Sequence, residues 1–186
     1  MNLNFKQIER DSVLESLASL LETLVMTKTS QYEVITDSPL TKEYFEDEEN
    51  YTKFFKAFAE YANPHWVDIW DFSKVPFRKP SDKITGLISI IRSGGAYTPD
   101  KTLEESEQIE EEFRFRFKGI WPELIIFNMV EYDFSDRTTK SYGLGDDFFD
   151  LKRISPWFLQ IAWDNLIFII NPSAALMYVI AFTDED

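Results

Sequence analysis

The sequence LIFIINPSAALMYVIAF, residues 166–182, is the most apolar stretch of this chain and decides its fold. Asn171 and Pro172 interrupt the stretch, and an Asn-Pro pair marks a turn. A membrane-spanning helix needs about 20 consecutive apolar residues, so the interrupted stretch favours a different structure. Each half is continuously apolar, which is typical of strands that are buried on both faces. The sequence therefore predicts a β-hairpin formed by Leu166–Ile170 and Met177–Phe182.

Three further segments have the composition or the alternation of β-strands. The segment Leu124–Tyr132 is rich in Ile, Phe and Val, which are common in strands. Polar and apolar residues alternate in Trp66–Phe72, and β-forming residues alternate over residues 32–36. Together with the hairpin, these segments predict a sheet with most of its strands in the second half of the chain.

Helical periodicity dominates the first half of the chain. Apolar residues recur at helical spacing over Ser12–Thr27, where Ser12 and Glu15 match a capping box. A second helix is predicted over Thr41–Ala62, with a break near Asn50. Two more helices are predicted, one from Ser81 to about residue 93 and one over Asp146–Trp163.

Residues 104–118 allow two predictions. Six of the nine residues 104–112 are acidic, and the segment Phe113–Lys118 then alternates aromatic and basic residues. A short acidic helix followed by a strand is the first interpretation. One continuous helix is the alternative, because Ile109, Phe113 and Phe117 are four residues apart.

These elements predict an α+β fold. Its sheet is mostly antiparallel and lies in the C-terminal half, and its helices come mainly from the N-terminal half and pack on one face. A length of 186 residues suits one domain, residues 1–186, with a possible subdivision near residues 94–100.

The charge of the chain restricts its partners. There are 33 acidic against 19 basic residues, for a net charge of -14, and aromatic residues make up 16%. Binding to nucleic acid requires many Lys and Arg side chains, so neither nucleic acid nor an anionic membrane is an expected ligand. A basic protein is the partner that such a charge favours. The first residues lack a signal-peptide pattern, and together with the absence of Cys this suggests a cytoplasmic protein.

Candidate catalytic residues are few, and no cofactor motif is present. His65 is the only histidine, between Pro64 and Trp66, which is more typical of a turn or strand edge than of a catalytic triad. Asp146, Asp147 and Asp150 could bind Mg²⁺ or Ca²⁺ from one helix face. Asp residues after a glycine are more often found simply starting a helix. A metal- or carboxylate-dependent hydrolase that uses these three residues is the alternative function.

The first hypothesis is a non-catalytic binding protein whose surface is acidic. Its candidate contacts lie in two runs, and they are Glu46, Asp47, Glu48, Glu49, Glu104, Glu105, Glu107, Glu110 and Glu111. In its size, acidity and expected fold the chain resembles the immunity proteins that neutralise bacterial toxins, although no motif carries that resemblance. It implies an inhibitor that binds a basic toxin. Solubility alone is the other explanation for the acidity.

Overall fold

The computed structural model describes residues 1–22, 26–62, 102–117, 119, 123–128 and 165–183. They form five strands, three α-helices and one 3₁₀ helix. In chain order these are β1 Leu3–Ile8, α1 Ser12–Leu21, β2 Met26–Thr36, a 3₁₀ helix Glu43–Glu46, α2 Glu48–Ala62, α3 Leu103–Arg116, β3 Ile125–Asn128, β4 Asn165–Asn171 and β5 Leu176–Thr183. None of the described helices has both the length and the apolar character needed to span a membrane.

The five strands form one antiparallel sheet in the order β1-β2-β5-β4-β3. The predicted terminal hairpin is confirmed as β4 and β5, with Phe168 opposite Val179. Its turn is held by the side chain of Asn171, which accepts a hydrogen bond from the Ala174 amide at 3.2 Å. Strand β2 lies on the other side of β5, so the centre of the sheet joins the two ends of the sequence.

The apolar side chains of the sheet form two cores on opposite faces. One core packs the aromatic residues of α2, including Phe54, Phe55 and Phe58, against alternate residues of all five strands. The other packs Leu14, Leu17 and Leu21 of α1 against the intervening residues of β3, β4 and β5. We call them the α2 core and the α1 core. Many rings in the α2 core meet edge to face. The ring centroids of Phe55 and Phe168, for example, lie 4.9 Å apart.

The α+β class and the antiparallel sheet are confirmed, but the helices lie on both faces of the sheet and not on one. The reason lies in the central strands. Side chains of both alternating sets in β4 and β5 are apolar and buried, so each face needs a covering helix. The chain supplies α2 for one face and α1 for the other.

Several boundaries differ from the predictions. Helix α1 ends at Leu21, and β2 begins at Met26, because the residues from Met26 onwards pair with β5. The predicted helix over Thr41–Ala62 is divided at Asp47, where the 3₁₀ helix ends and α2 starts. Strand β1 was not predicted.

The segment after residue 102 follows the alternative prediction of one continuous helix. Helix α3 runs through the alternating aromatic and basic residues as far as Arg116. The predicted strand at Phe113–Lys118 is therefore wrong. Aromatic residues four apart were the correct signal, and alternation over six residues was the misleading one.

Other predictions lie outside the described residues. They are the strand Trp66–Phe72, the helix from Ser81, the helix Asp146–Trp163 and the subdivision near residues 94–100. His65 and the cluster of Asp146, Asp147 and Asp150 also lie outside them.

Candidate functional site

The first predicted acidic run surrounds the start of α2. All five carboxylates of Glu43–Glu49 are exposed, and we call this run the α2 acidic segment. Three of them, Glu43, Asp47 and Glu49, make local hydrogen bonds or ion pairs. Asp47 accepts a hydrogen bond from the Glu49 amide at 2.8 Å, and Glu49 lies 2.6 Å from the ammonium of Lys53.

Two side chains tie the α2 acidic segment to the protein interior. Phe45 is fully buried, with its ring 5.0 Å from that of Phe54. The hydroxyl of Tyr44 donates to the carbonyl of Asn50 at 3.1 Å. The carboxylates around these anchors therefore project from a fixed backbone.

Electrostatic effects within this segment are local. Hydrogen bonds from its own backbone amide and from Thr41 lower the pKa of Glu43. The hydrogen bond and the charge of Glu49 raise the pKa of Lys53. Both side chains are exposed, so solvent weakens these interactions. The lowered pKa of Glu43 favours its ionised form, which does not suit a general acid.

The second predicted acidic run lies in α3. Glu104, Glu105, Glu111 and Glu112 are exposed, and we call the run 104–112 the α3 acidic segment. The side chains of Glu107 and Glu110 lie outside the described part of the helix. Thr102 caps the helix: the Glu105 amide donates to its hydroxyl at 3.2 Å, and its own amide donates to the Glu105 carboxylate at 2.8 Å. One of the predicted contact residues is thus part of a capping box.

Two aromatic residues near the end of α3 have opposite environments. Phe117 is 1% exposed, and its ring meets that of Tyr178 at 5.6 Å in the α1 core. Phe115 is 68% exposed. The predicted strand at Phe113–Lys118 would place both side chains on one face, so that prediction did not identify Phe115 as a surface residue. A helical projection of residues 104–117 would have separated the two.

The two acidic segments belong to helices that contribute to different cores. Helix α2 packs in the α2 core, whereas α3 reaches the α1 core through Phe117. They are therefore two surfaces with separate supports.

A buried polar network lies where α1 meets the sheet. Asp11 accepts hydrogen bonds from the hydroxyl of Tyr178 at 2.9 Å and from the side-chain amide of Gln31 at 3.0 Å. Burial, and then the hydrogen bond and charge of Asp11, raise the pKa of Tyr178 well above its ordinary value. The phenol stays protonated, so the network holds the structure together and does not supply a nucleophile.

Lys28 and Ser30 lie two residues apart on the face of β2 that carries the α2 core. Burial lowers the pKa of Lys28. The hydroxyl of Ser30 is buried and makes no hydrogen bond. A hydroxyl that is closed off from solvent does not act as a nucleophile on a substrate, and no bond joins it to the lysine.

The described side chains form no metal-binding group of three or more His, Asp or Glu residues. The described part of the chain therefore offers charged surface but no metal-binding group of this kind. In comparisons with known proteins, no family model matches the chain and no curated protein is similar to it.

Proposed function

We propose that this protein is a non-catalytic binding protein that docks a basic protein partner on its acidic surface. The observation that carries the proposal is the arrangement of exposed carboxylates on the α2 and α3 acidic segments, each on a helix with a fixed backbone. An inhibitor of the immunity-protein type, which neutralises a basic bacterial toxin, is the specific form that we propose.

The charge distribution supports this partner class. Residues 94–186 contain 18 acidic and eight basic residues, which gives most of the net charge of -14. Such a field attracts a basic surface and raises association rates by about 10- to 1,000-fold. The same field repels nucleic acid and anionic lipid, so our proposal includes neither as a partner. We also propose a cytoplasmic location, which fits a chain without Cys.

The rigidity of the segments also supports docking. The α2 segment is held by Phe45, and α3 is capped by Thr102 and held by Phe117. Carboxylates on ordered helices lose less conformational entropy on binding than those on a disordered tail. The proposal requires no cofactor and assigns no catalytic residue.

The test is affinity capture from the source cell, followed by titration with the purified partner. We expect a basic protein whose affinity falls steeply between about 50 mM and 500 mM NaCl, because salt screens exposed charges. A variant with Glu46, Glu48, Glu104 and Glu111 changed to Gln should bind about tenfold more weakly.

The matched control removes the same amount of negative charge by changing four other exposed glutamates to Gln: Glu9, Glu22, Glu33 and Glu60. We expect a smaller loss of affinity for this control. Capture of a neutral or acidic partner, salt-independent binding, or equal losses in the two variants would each reject the proposal.

A further inference from the structure

Phe115 is exposed in a way that the fold does not require. Among the described residues, the large hydrophobic side chains that are exposed are Met1, Met26, Ile35 and Phe115, with Phe115 the highest at 68%. Burial of a Phe side chain stabilises a protein through the hydrophobic effect, and most of that stabilisation is absent at this position. A site that can exclude water from this ring would recover it.

The helical repeat places Phe115 at the end of a polar row. Successive residues turn by about 100°, so Glu104, Gln108, Glu111 and Phe115 lie within an arc of roughly 60° on the helix. All four are exposed, and the exposed Glu112 lies beside them. We call these five residues the α3 outer face. Arg114 and Arg116 lie roughly 100° to either side of Phe115, so they border the row without belonging to it; Arg114 follows Glu111 by three residues and Arg116 follows Glu112 by four.

Both ends of α3 are fixed before any partner arrives. The capping box of Thr102 and Glu105 holds its start. Phe117 holds its end in the α1 core, with its ring at 77° to that of Tyr178. Phe115 is therefore presented from an ordered helix, which is the arrangement of an aromatic anchor in protein interfaces.

We infer that the α3 outer face is the docking surface for the basic partner, with Phe115 as its apolar anchor. This rests on the proposed function and adds to it the place and the form of the contact. The partner carries an apolar pocket for the Phe115 ring, bordered by Lys or Arg side chains that meet Glu104, Glu111 and Glu112. A second copy of this chain does not fit, because its own acidic row would face the first.

The probe for this inference is a displayed library of random 16-residue peptides, selected on the wild-type protein and resynthesised for titration. We expect the selected peptides to combine Lys or Arg with at least one large apolar residue. Phe115→Ala should weaken their binding at least tenfold. Ile35→Ala, which removes an exposed apolar side chain from β2, should change binding less than twofold.

A pair of charge variants distinguishes binding at the α3 outer face from attraction by the overall negative charge of the protein. Glu104→Gln with Glu111→Gln should weaken binding several-fold, whereas Glu9→Gln with Glu22→Gln should leave it within twofold. Unchanged thermal unfolding of Phe115→Ala shows that the variant is folded.

The outcomes distinguish this inference from the proposed function. Basic peptides that bind Phe115→Ala as tightly as the wild type overturn the inference and leave the proposed function standing. Selection of no peptide, or of peptides without Lys and Arg, counts against both.

Discussion

Asp11 fixes both the start of α1 and its position over the sheet. Its carboxylate accepts from the Leu14 amide at 2.9 Å, which makes Asp11 the N-cap. The same carboxylate accepts from Gln31 and Tyr178, which lie on β2 and β5. The sequence predicted Ser12 as the cap, because Ser12 and Glu15 match the capping-box spacing. Spacing located this helix start to within one residue, but the hydrogen bond from Leu14 and the contacts with the sheet are what distinguish Asp11 from Ser12.

Alanine substitutions at Asp11 and Ser12 test which of the two residues caps α1. Asp11→Ala removes the cap and leaves the buried groups of Gln31 and Tyr178 without their acceptor. We expect it to lower the free energy of unfolding by about 2–4 kcal/mol. Ser12→Ala should change it by about 0.5 kcal/mol or less, because this side chain is exposed. Urea unfolding measures both values, and a larger loss for Ser12→Ala would show that the cap is Ser12.

Tyr178 should make the stability of the protein depend on alkaline pH. Its pKa is raised in the folded state by burial and by Asp11, whereas the unfolded chain has the ordinary tyrosine value of 10. Above pH 10 the unfolded state therefore loses this proton and the folded state keeps it. The contribution of Tyr178 is fully present below pH 10 and falls by about 1.4 kcal/mol per pH unit above it.

Tyr178→Phe tests this dependence. At pH 7 we expect the variant to be less stable by about 1 kcal/mol, because Asp11 loses one donor. The difference should shrink between pH 10 and pH 11, as measured by urea unfolding. Val34→Ala removes buried apolar atoms and no titrating group, so its deficit should stay constant. A constant difference for Tyr178→Phe would contradict the assignment.

At the scale of elements, residues 113–117 show where a sequence pattern is ambiguous. Alternation of aromatic and basic residues favours a strand, and aromatic residues four apart favour a helix. The structure has a helix, with a capping box at its start and with Phe117 turned into the α1 core. The same limitation explains α1, whose apolar periodicity continues beyond its actual end at Leu21. The pairing of β2 with β5 limits how far α1 can extend, and the helical periodicity of the sequence carries no information about that pairing.

Alanine substitutions at Phe115 and Phe117 distinguish the helix from the strand. A strand would place both residues on one face, with similar costs. In the helix, Phe117→Ala removes a buried ring and should lower the free energy of unfolding by about 3–5 kcal/mol. Phe115→Ala should change it by about 0.5 kcal/mol. Thermal or urea unfolding gives both numbers, and equal losses would favour the strand.

At the scale of the whole molecule, the sheet joins distant parts of the sequence. Strand β5 lies between β2 and β4, so residues 26–33 pair with residues 176–183. The hairpin of β4 and β5 could be predicted because its strands are adjacent and continuously apolar. The position of β2 beside β5 could not be predicted, because the alternation of residue types identifies a strand but not the strand with which it pairs. The continuous apolar sequence of the hairpin did predict that both of its faces are buried, and burial of both faces requires a helix on each.

The shared strands make one cooperative unit the expected behaviour. The α1 core and the α2 core lie on opposite faces of the same β4 and β5, so neither core persists when those strands separate. Leu17→Ala in the first core should lower the free energy of unfolding by about 2–5 kcal/mol, and Phe58→Leu in the second by about 1–2 kcal/mol. We expect a single transition that shifts as a whole in each variant.

Hydrogen exchange provides the decisive readout for this cooperativity. Each substitution should reduce the protection of amides in both α1 and α2 by the same free energy, because both helices open with the sheet. Ile35→Ala, on the exposed part of β2, is the matched control and should leave both unchanged. If Leu17→Ala reduced protection in α1 alone, the two cores would be independent units. The single domain predicted over residues 1–186 would then have to be divided between them.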